Sequence, residues 1–565
     1  MTIDEKIKLW TSSVFDSNTQ KKVKRLQRNK KALYDAFYTD LHFGTGGMRG
    51  KMGVGTNRIN KYTLGRCTQG LANYLNKNSN EASVVIAYDS RHNSKDFAQR
   101  VAEILTANGI TVYLYSELRA TPQLSFTVRH LKAQAGVVLT ASHNPPEYNG
   151  YKVYGADGGQ MVPPMDASVL ACIEDVDYSD IVFDPPKAQI IWLDVEADAA
   201  YWNAVLEAMP VTRTETKRLK IVFTSLHGTA ITAIPKVLAM AGFYNLSMVK
   251  KQMHPNGDFP TVSSPNPEEP DALKLALNQA KKENADLVIG TDPDCDRLGV
   301  GFRLPNGNYE LLDGNQLMIL LTEFVLEQLR KQEKLSHKNF IATTIVSTPL
   351  LQKIAARFKI ECVTTLTGFK WIGQAIEQKK NKTFVCGGEE SNGFLIGDSV
   401  RDKDAVSAAL LCAEMAAALQ LEGKNLLDQL QSCYQTYGFS LQRMLSVKKE
   451  GEQGVKQIAN WMQEFRNNPP QQLSGSDVIH ITDYQIGIVK NLRNGNEQPI
   501  ELPTSNVLQF ESADGSLISI RPSGTEPKIK CYLSVNGIYD SSLSWQENKH
   551  LLEQKLDRLA DELKF

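Results

Sequence analysis

Cysteine is scarce and scattered: eight residues (67, 172, 295, 362, 386, 412, 433, 531) in 565, with no C-x-x-C pair. This excludes a disulfide framework or a thiolate zinc cage as the organising feature and points to a reducing compartment. Charge of one sign is also lacking, since 63 Lys and Arg balance 63 Asp and Glu. Nucleic-acid and membrane-surface proteins need a basic excess, so neither partner is expected, although a neutral whole can still hold a basic pocket. The basic cluster Lys21–Lys31 reads as a solvated helix face. No apolar run is long and clean enough to span a bilayer. The nearest, Ala405 to Leu421, contains Ser407, Glu414 and Gln420, and Asp402 or Asp404 can cap its start, so it reads as a core helix. Met1 to Lys8 lacks the apolar core of a signal peptide. A cytoplasmic protein is expected. Two motifs are missing as well: Gly44–Gly50 lacks the Gly-Lys-Ser/Thr of a P-loop, and no G-x-S-x-G elbow surrounds Ser142.

What is present is α/β patterning. At 565 residues the chain is too long for one ordinary core, and three or four domains are expected. Strand signals recur at Val84–Ala87, Val112–Leu114, Val137–Leu139, Ile221–Phe223, Leu287–Ile289, Ile341–Val346 and Phe384–Val385. Helical patterns separate them, as at Ala272–Lys282 and Gln316–Lys331. Such alternation implies crossover connections and mainly parallel sheets. Boundaries are expected near 210, 330 and 450, which divides the chain into 1–210, 211–330, 331–450 and 451–565. The polar stretch Arg466 to Gly475 reads as a loop in the last part.

Four strand-then-polar-loop segments carry the chemistry. The first is Thr140-Ala141-Ser142-His143-Asn144-Pro145-Pro146, after the apolar run ending at Leu139. Prolines fix φ and remove donors, so Ser142 is held stiffly at a strand's C-terminal end, where ligands of open α/β sheets sit. The second is Gly290-Thr291-Asp292-Pro293-Asp294-Cys295-Asp296-Arg297. Alternate residues of an extended loop point the same way, so the three carboxylates can converge on a hard cation. An EF-hand needs Gly and Glu where Arg297 and Arg303 stand, so that reading fails. The third, Gly387-Gly388-Glu389-Glu390-Ser391-Asn392-Gly393, offers donors and acceptors suited to sugar hydroxyls. The fourth, Arg521-Pro522-Ser523-Gly524-Thr525-Glu526-Pro527-Lys528 with Lys530, combines a guanidinium, hydroxyls and a glycine suited to phosphate. Ser142 has two readings. As an acyl-transfer nucleophile it would need His143 as base, and adjacent residues are expected to point apart. As a phosphoryl carrier it would need charge neutralisation nearby, which a metal held by the aspartates would provide.

In this order, and with Phe43-Gly44-Thr45-Gly46-Gly47-Met48-Arg49-Gly50 ahead of them, these segments resemble the α-D-phosphohexomutase superfamily of phosphoglucomutases, phosphomannomutases and relatives. The resemblance spans almost the whole chain. It implies three similar α/β domains with mixed, mainly parallel sheets and a smaller C-terminal α+β domain, around one cleft. Ser142 would be the phosphoserine, with its oxygen also on the metal. Mg²⁺ would be held by Asp292, Asp294 and Asp296. Arg49, Lys152 and Lys370 match cations beside the transferring phosphate, with Lys152 or Lys370 as proton-transfer group. His143, Arg297, Glu389 and Ser391 would face the sugar. Arg521, Ser523, Gly524, Thr525 and Lys530 would hold the phosphate that is not reacting.

The activity implied is interconversion of glucose 1-phosphate and glucose 6-phosphate, primed by glucose 1,6-bisphosphate. The Gly-Glu-Glu-Ser segment is closest to the glucose-type version, while Asn392-Gly393-Phe394 departs from the Gly-His of other members. Phosphopentomutase is the runner-up, followed by phosphomannomutase and a bisphosphate synthase. A catalytically silent sugar-phosphate-binding protein would be expected to lose Ser142 or an aspartate, and all four are present. The expected partner is a phosphorylated sugar, with the chain a monomer or small homo-oligomer.

Overall fold

A computed structural model describes residues 1–44, 46–211, 218–449, 451–523 and 528–563. The chain packs as two units, Met1–Gly314 with Phe369–Glu422, and Asn315–Gly368 with Gly423–Phe565.

The first unit carries two mixed sheets. The strands of these two sheets are β1 (Gly47–Lys51), β2 (Ser83–Tyr88), β3 (Thr111–Tyr115), β4 (Ala135–Leu139), β5 (Tyr148–Gly155), β6 (Ile190–Leu193), β7 (Ile221–Thr224), β8 (Leu246–Met248), β9 (Leu287–Thr291), β10 (Leu298–Arg303) and β11 (Tyr309–Leu312). The sheet orders are β1-β5-β4-β2-β3-β6 and β11-β10-β9-β7-β8. β4, β2, β3 and β6 are parallel, as are β9, β7 and β8. Val84, Val85, Ile86, Val137, Val138 and Leu139 are fully buried, which is why these strands read as continuous apolar runs. The antiparallel additions β1, β5, β10 and β11 do not stand out in the same way, because they are short or rich in glycine and polar residues. They make both sheets mixed, as expected, around a parallel core. β5 matters most, since it runs back from the Ser142 loop alongside β4 and carries Lys152.

Helices cover the sheets. Asn60 caps Lys61–Asn78 through a capping box. Of the two caps considered for Ala405–Leu421, Asp404 is the one used, accepting from the backbone N–H of Val406 and Ser407. That helix is buried along most of its length. Among the described residues no single helix is long and apolar enough to cross a membrane.

The second unit holds a parallel strand pair, Asn339–Thr344 with Glu361–Thr365. It also holds an antiparallel sheet running from Phe439–Lys448 through Lys528–Gly537, Leu517–Pro522 and Leu508–Ser512 to Ser476–Asp483 and beyond. Arg466, expected in a loop, lies in the last turn of helix Gly451–Asn467, and Gln472–Leu473 forms a short strand.

Candidate active site

The site is assembled from the C-terminal ends of β4 and β9. Ser142 follows β4 in a tight turn, with φ of +51°. For a residue other than glycine this costs about 1–3 kcal/mol, so the surroundings must hold it. Its N–H is accepted by Thr140 Oγ1 at 2.8 Å, and its Oγ donates to Asp292 Oδ2 at 2.6 Å. His143 Nδ1 lies 3.1 Å from the same Oγ. This corrects the expectation that His143 points away: the left-handed turn at Ser142 removes the alternation of an extended chain.

Asp292, Asp294 and Asp296 do converge, with ligand oxygens within 4.8 Å of one another and all three side chains buried. Convergence comes from a turn and not from an extended loop. Asp292 Oδ1 accepts the N–H groups of Asp296 and Arg297, each at 3.0 Å, and Cys295 takes a φ of +58°. Asp294 Oδ1 and Asp296 Oδ1 are buried without a hydrogen-bond partner among the described residues. Buried carboxylate oxygens of this kind are costly unless a cation uses them, so the donor set fits a hard, oxygen-liganded divalent metal.

Cations balance the triad. Lys152 Nζ lies 2.8 Å from Asp294 Oδ2 and 3.3 Å from Asp296 Oδ2. Burial opposes its charge, but the two carboxylates outweigh that and hold its pKa above the ordinary lysine value. Burial also opposes the charge on Asp296, while Lys403, Lys152 and Arg297 hold its carboxyl well below the usual range. Asp292 goes the other way: burial, then repulsion from Asp294 and Asp296, pushes it well above. Arg49, on β1, reaches the serine loop through Asn144, donating to Oδ1 at 2.8 Å. Arg297 donates to the Ser391 carbonyl at 3.2 Å and to Glu268, and so ties the metal loop to the sugar-type loop. Glu389 is buried at the end of strand Thr383–Glu389, 3.8 Å from Lys403 Nζ. Ser391 is in the turn that follows.

Lys370 lies in the first turn of helix Phe369–Gln378, with its ammonium 5.7 Å from the centre of the Trp371 ring. Lys152 and Lys403 form ion pairs with the triad. In the second unit, Arg521 pairs with Lys530 across neighbouring strands, and the Ser523 N–H donates to the Lys528 carbonyl at 2.8 Å. Gly524 and Thr525, and Thr45 of the glycine-rich turn, lie outside the described residues.

Models for the phosphoglucomutase/phosphomannomutase alpha/beta/alpha domains I, II and III match residues 40–180, 199–304 and 313–437. Phosphoglucomutases of Staphylococcus aureus strains USA300 and MRSA252 are 40% and 39% identical, each alignment covering 89% of this chain and 90% of the relative. The chain belongs to the phosphoglucomutase/phosphomannomutase family. Solved structures share the fold. A family protein from Burkholderia thailandensis has a TM-score of 0.64 at 17% identity, over 92% of this chain and 97% of that one. Parafusin from Paramecium, in its open form, also has a TM-score of 0.64 at 17% identity, over 92% and 96%. The family's three consecutive α/β domains and a C-terminal sheet domain are thus present, as the sequence implied.

Within this family member, three groups at the site escaped the sequence reading. Lys403 Nζ lies 3.2 Å from Asp296 Oδ2 and 3.2 Å from Asp402 Oδ1. Thr121 Oγ1 donates to Asp294 Oδ2 at 3.0 Å. Arg91 grips the serine loop from beneath. The first two sit just before or at the start of helices in unremarkable polar stretches. Arg91 belongs to Tyr88-Asp89-Ser90-Arg91, a fifth strand-then-polar-loop segment that the same pattern would have caught.

Proposed function

We propose that the chain is a Mg²⁺-dependent phosphoglucomutase that interconverts glucose 1-phosphate and glucose 6-phosphate through a phosphoserine at Ser142. One observation carries the reading: the Ser142 hydroxyl lies 2.6 Å from a buried cluster of three aspartates that includes carboxylate oxygens with no hydrogen-bond partner among the described residues. The identity to phosphoglucomutases of Staphylococcus aureus supports glucose as the sugar.

Asp292, Asp294 and Asp296, with the Ser142 oxygen, would hold the metal. When bound, Mg²⁺ would neutralise charge on the phosphoryl group in transfer. In the forward half-reaction the bond from Ser142 Oγ to phosphorus breaks as a sugar hydroxyl forms its own bond to phosphorus, and the hydroxyl's proton passes, through Lys152 or Lys370, to the leaving Ser142 oxygen. Glucose 1,6-bisphosphate results, turns around, and returns its other phosphate to Ser142. Lys152 is held charged beside the triad by Asp294 and Asp296, so it is suited to attract the phosphoryl group. Arg49 and Arg297 supply further positive charge, His143 lies against the serine oxygen, and Glu389 and Ser391 read the sugar hydroxyls. The loop carrying Arg521, Ser523, Gly524, Thr525 and Lys530 binds the remote phosphate, whose binding energy then serves the chemistry. We divide the chain functionally at about 210, 330 and 450, and place the enzyme in the cytoplasm.

A coupled assay for glucose 6-phosphate, with Mg²⁺ and catalytic glucose 1,6-bisphosphate, tests the reading on wild type and Ser142→Ala. Activity that disappears in the variant is expected, and activity that survives it sinks the phosphoserine mechanism. A strong preference for ribose 1-phosphate in parallel would move the enzyme to the pentose reaction with the same site.

A further inference from the structure

The serine loop is built around a buried guanidinium. Arg91 lies in the loop after β2 and is almost wholly buried. Its Nη2 donates to the carbonyls of Ser142, at 2.6 Å, and Asn144. Its Nη1 donates to those of Pro145, at 2.8 Å, and Tyr148, at 3.1 Å. Four carbonyls spread over seven residues thus turn inward onto one planar fork. Its Nε lies 3.3 Å from Asp89 Oδ2, and Asp89 is itself held by the Arg91 N–H at 2.9 Å and by Ser94 Oγ at 2.8 Å. One face of the guanidinium stacks on Phe259, 5.0 Å away, which comes from the segment after β8 that packs against the second sheet. The next residue repeats the link, with His92 Nε2 2.7 Å from Asp258 Oδ1. Gly257 lies so close that a Cβ there would be 2.6 Å from the His92 N–H nitrogen.

We propose that Arg91 is the positioning residue for Ser142, and that it sets both the serine's backbone conformation and its register against the aspartate loop. The assignment rests on the phosphoserine reading above. Ser142 holds a left-handed φ, which neither the serine nor its neighbours favour. Its carbonyl and that of Asn144 point into protein, where an unpaired acceptor is costly. Arg91 removes both difficulties at once. Because the same guanidinium leans on Phe259, the turn is fixed relative to the second sheet as well as the first. This contact helps hold the serine hydroxyl on Asp292, which follows a strand of that other sheet. In this role Arg91 acts through the backbone of the serine loop. A lysine cannot replace it, because one ammonium cannot span four carbonyls in a plane.

The test is Arg91→Lys, with Phe259→Leu as a second variant that leaves every hydrogen bond of the clamp in place. Wild type is assayed first: if it does not interconvert the glucose phosphates, the functional reading fails and not this one. With active wild type, Arg91→Lys should lose about 100-fold in kcat, the order expected for a misplacement near 1 Å, while KM changes less than threefold. Methylguanidinium in the buffer should restore part of the kcat of Arg91→Ala, which a purely structural role would not allow. Phe259→Leu should lose kcat in the same direction by a smaller factor, and it decides the matter if the Arg91 variants do not fold. The crystal structure of Arg91→Lys should show Ser142 with negative φ and its Oγ away from Asp292. Retention of the left-handed serine with kcat near wild type overturns the proposal, as does Phe259→Leu with unchanged kcat.

Discussion

Asp296 lies between two ammonium groups, Lys152 Nζ at 3.3 Å and Lys403 Nζ at 3.2 Å from the same Oδ2 oxygen. Three carboxylates and two lysines share one buried site, so removing either lysine leaves excess negative charge that a bound divalent metal would offset. Lys403→Met should therefore depend on Mg²⁺ for stability much more than wild type does. Thermal melts with Mg²⁺ and with EDTA measure this, since a ligand that binds only the folded state raises the melting temperature by linkage. Equal Mg²⁺-induced shifts in the two proteins would rule the idea out.

Thr121 holds Asp294 from behind, through its hydroxyl at 3.0 Å to Oδ2 and its N–H at 2.9 Å to the Asp294 carbonyl. Groups that orient a metal ligand affect affinity by about 10–100-fold. Thr121→Val keeps the side-chain volume and the N–H bond but loses the hydroxyl. The half-saturating Mg²⁺ concentration should rise by about tenfold, at the lower end of that range. A titration that overlays wild type would remove Thr121 from the account of the site.

Gly228 passes over Pro293 so closely that a Cβ would run into its backbone, with the Pro293 carbonyl oxygen at 2.6 Å. The Thr229 N–H donates to that carbonyl at 2.8 Å, so the loop after β7 braces the metal loop. Overpacking of this kind costs about 1–3 kcal/mol. Gly228→Ala should lower the urea midpoint accordingly and reduce activity, because the displaced atoms belong to the aspartate turn. An unchanged midpoint with full activity would show that the brace is dispensable.

His227 is buried beside this brace, with Nδ1 3.2 Å from the His254 carbonyl and Nε2 2.9 Å from Thr261 Oγ1. Burial lowers its pKa, and the His254 carbonyl only partly opposes that. In the unfolded chain histidine titrates near about 6.5. Between that pH and the lower folded value the unfolded state binds more protons, so stability falls as pH drops through the window. Above about 6.5 the contribution is complete. Asn tolerates the left-handed backbone that His227 adopts, so His227→Asn is the reference. Wild type should melt higher than the variant at pH 8, and the gap should close towards pH 5. A gap independent of pH would contradict the sign argued here.

What the sequence determined by itself was local. Apolar runs such as Val137–Leu139 and Leu287–Ile289 declare parallel strands because both of their faces are buried, and the loops that follow them declare chemistry because strand ends expose them. The α/β class and the candidate metal ligands were legible for that reason, and the family and its three α/β domains through the resemblance of the loop motifs. The tertiary structure decided what depends on meetings between distant segments and on backbone dihedrals. It brought Lys152 and Lys403 to the aspartates, and it turned His143 onto the serine through a left-handed φ. It also wrapped the serine loop around Arg91, which is 51 residues from Ser142 along the chain. A lone cation carries no mark of its partners in sequence, because its attraction acts across space. The pairings at this site exist only once two sheets have set their strand ends against each other.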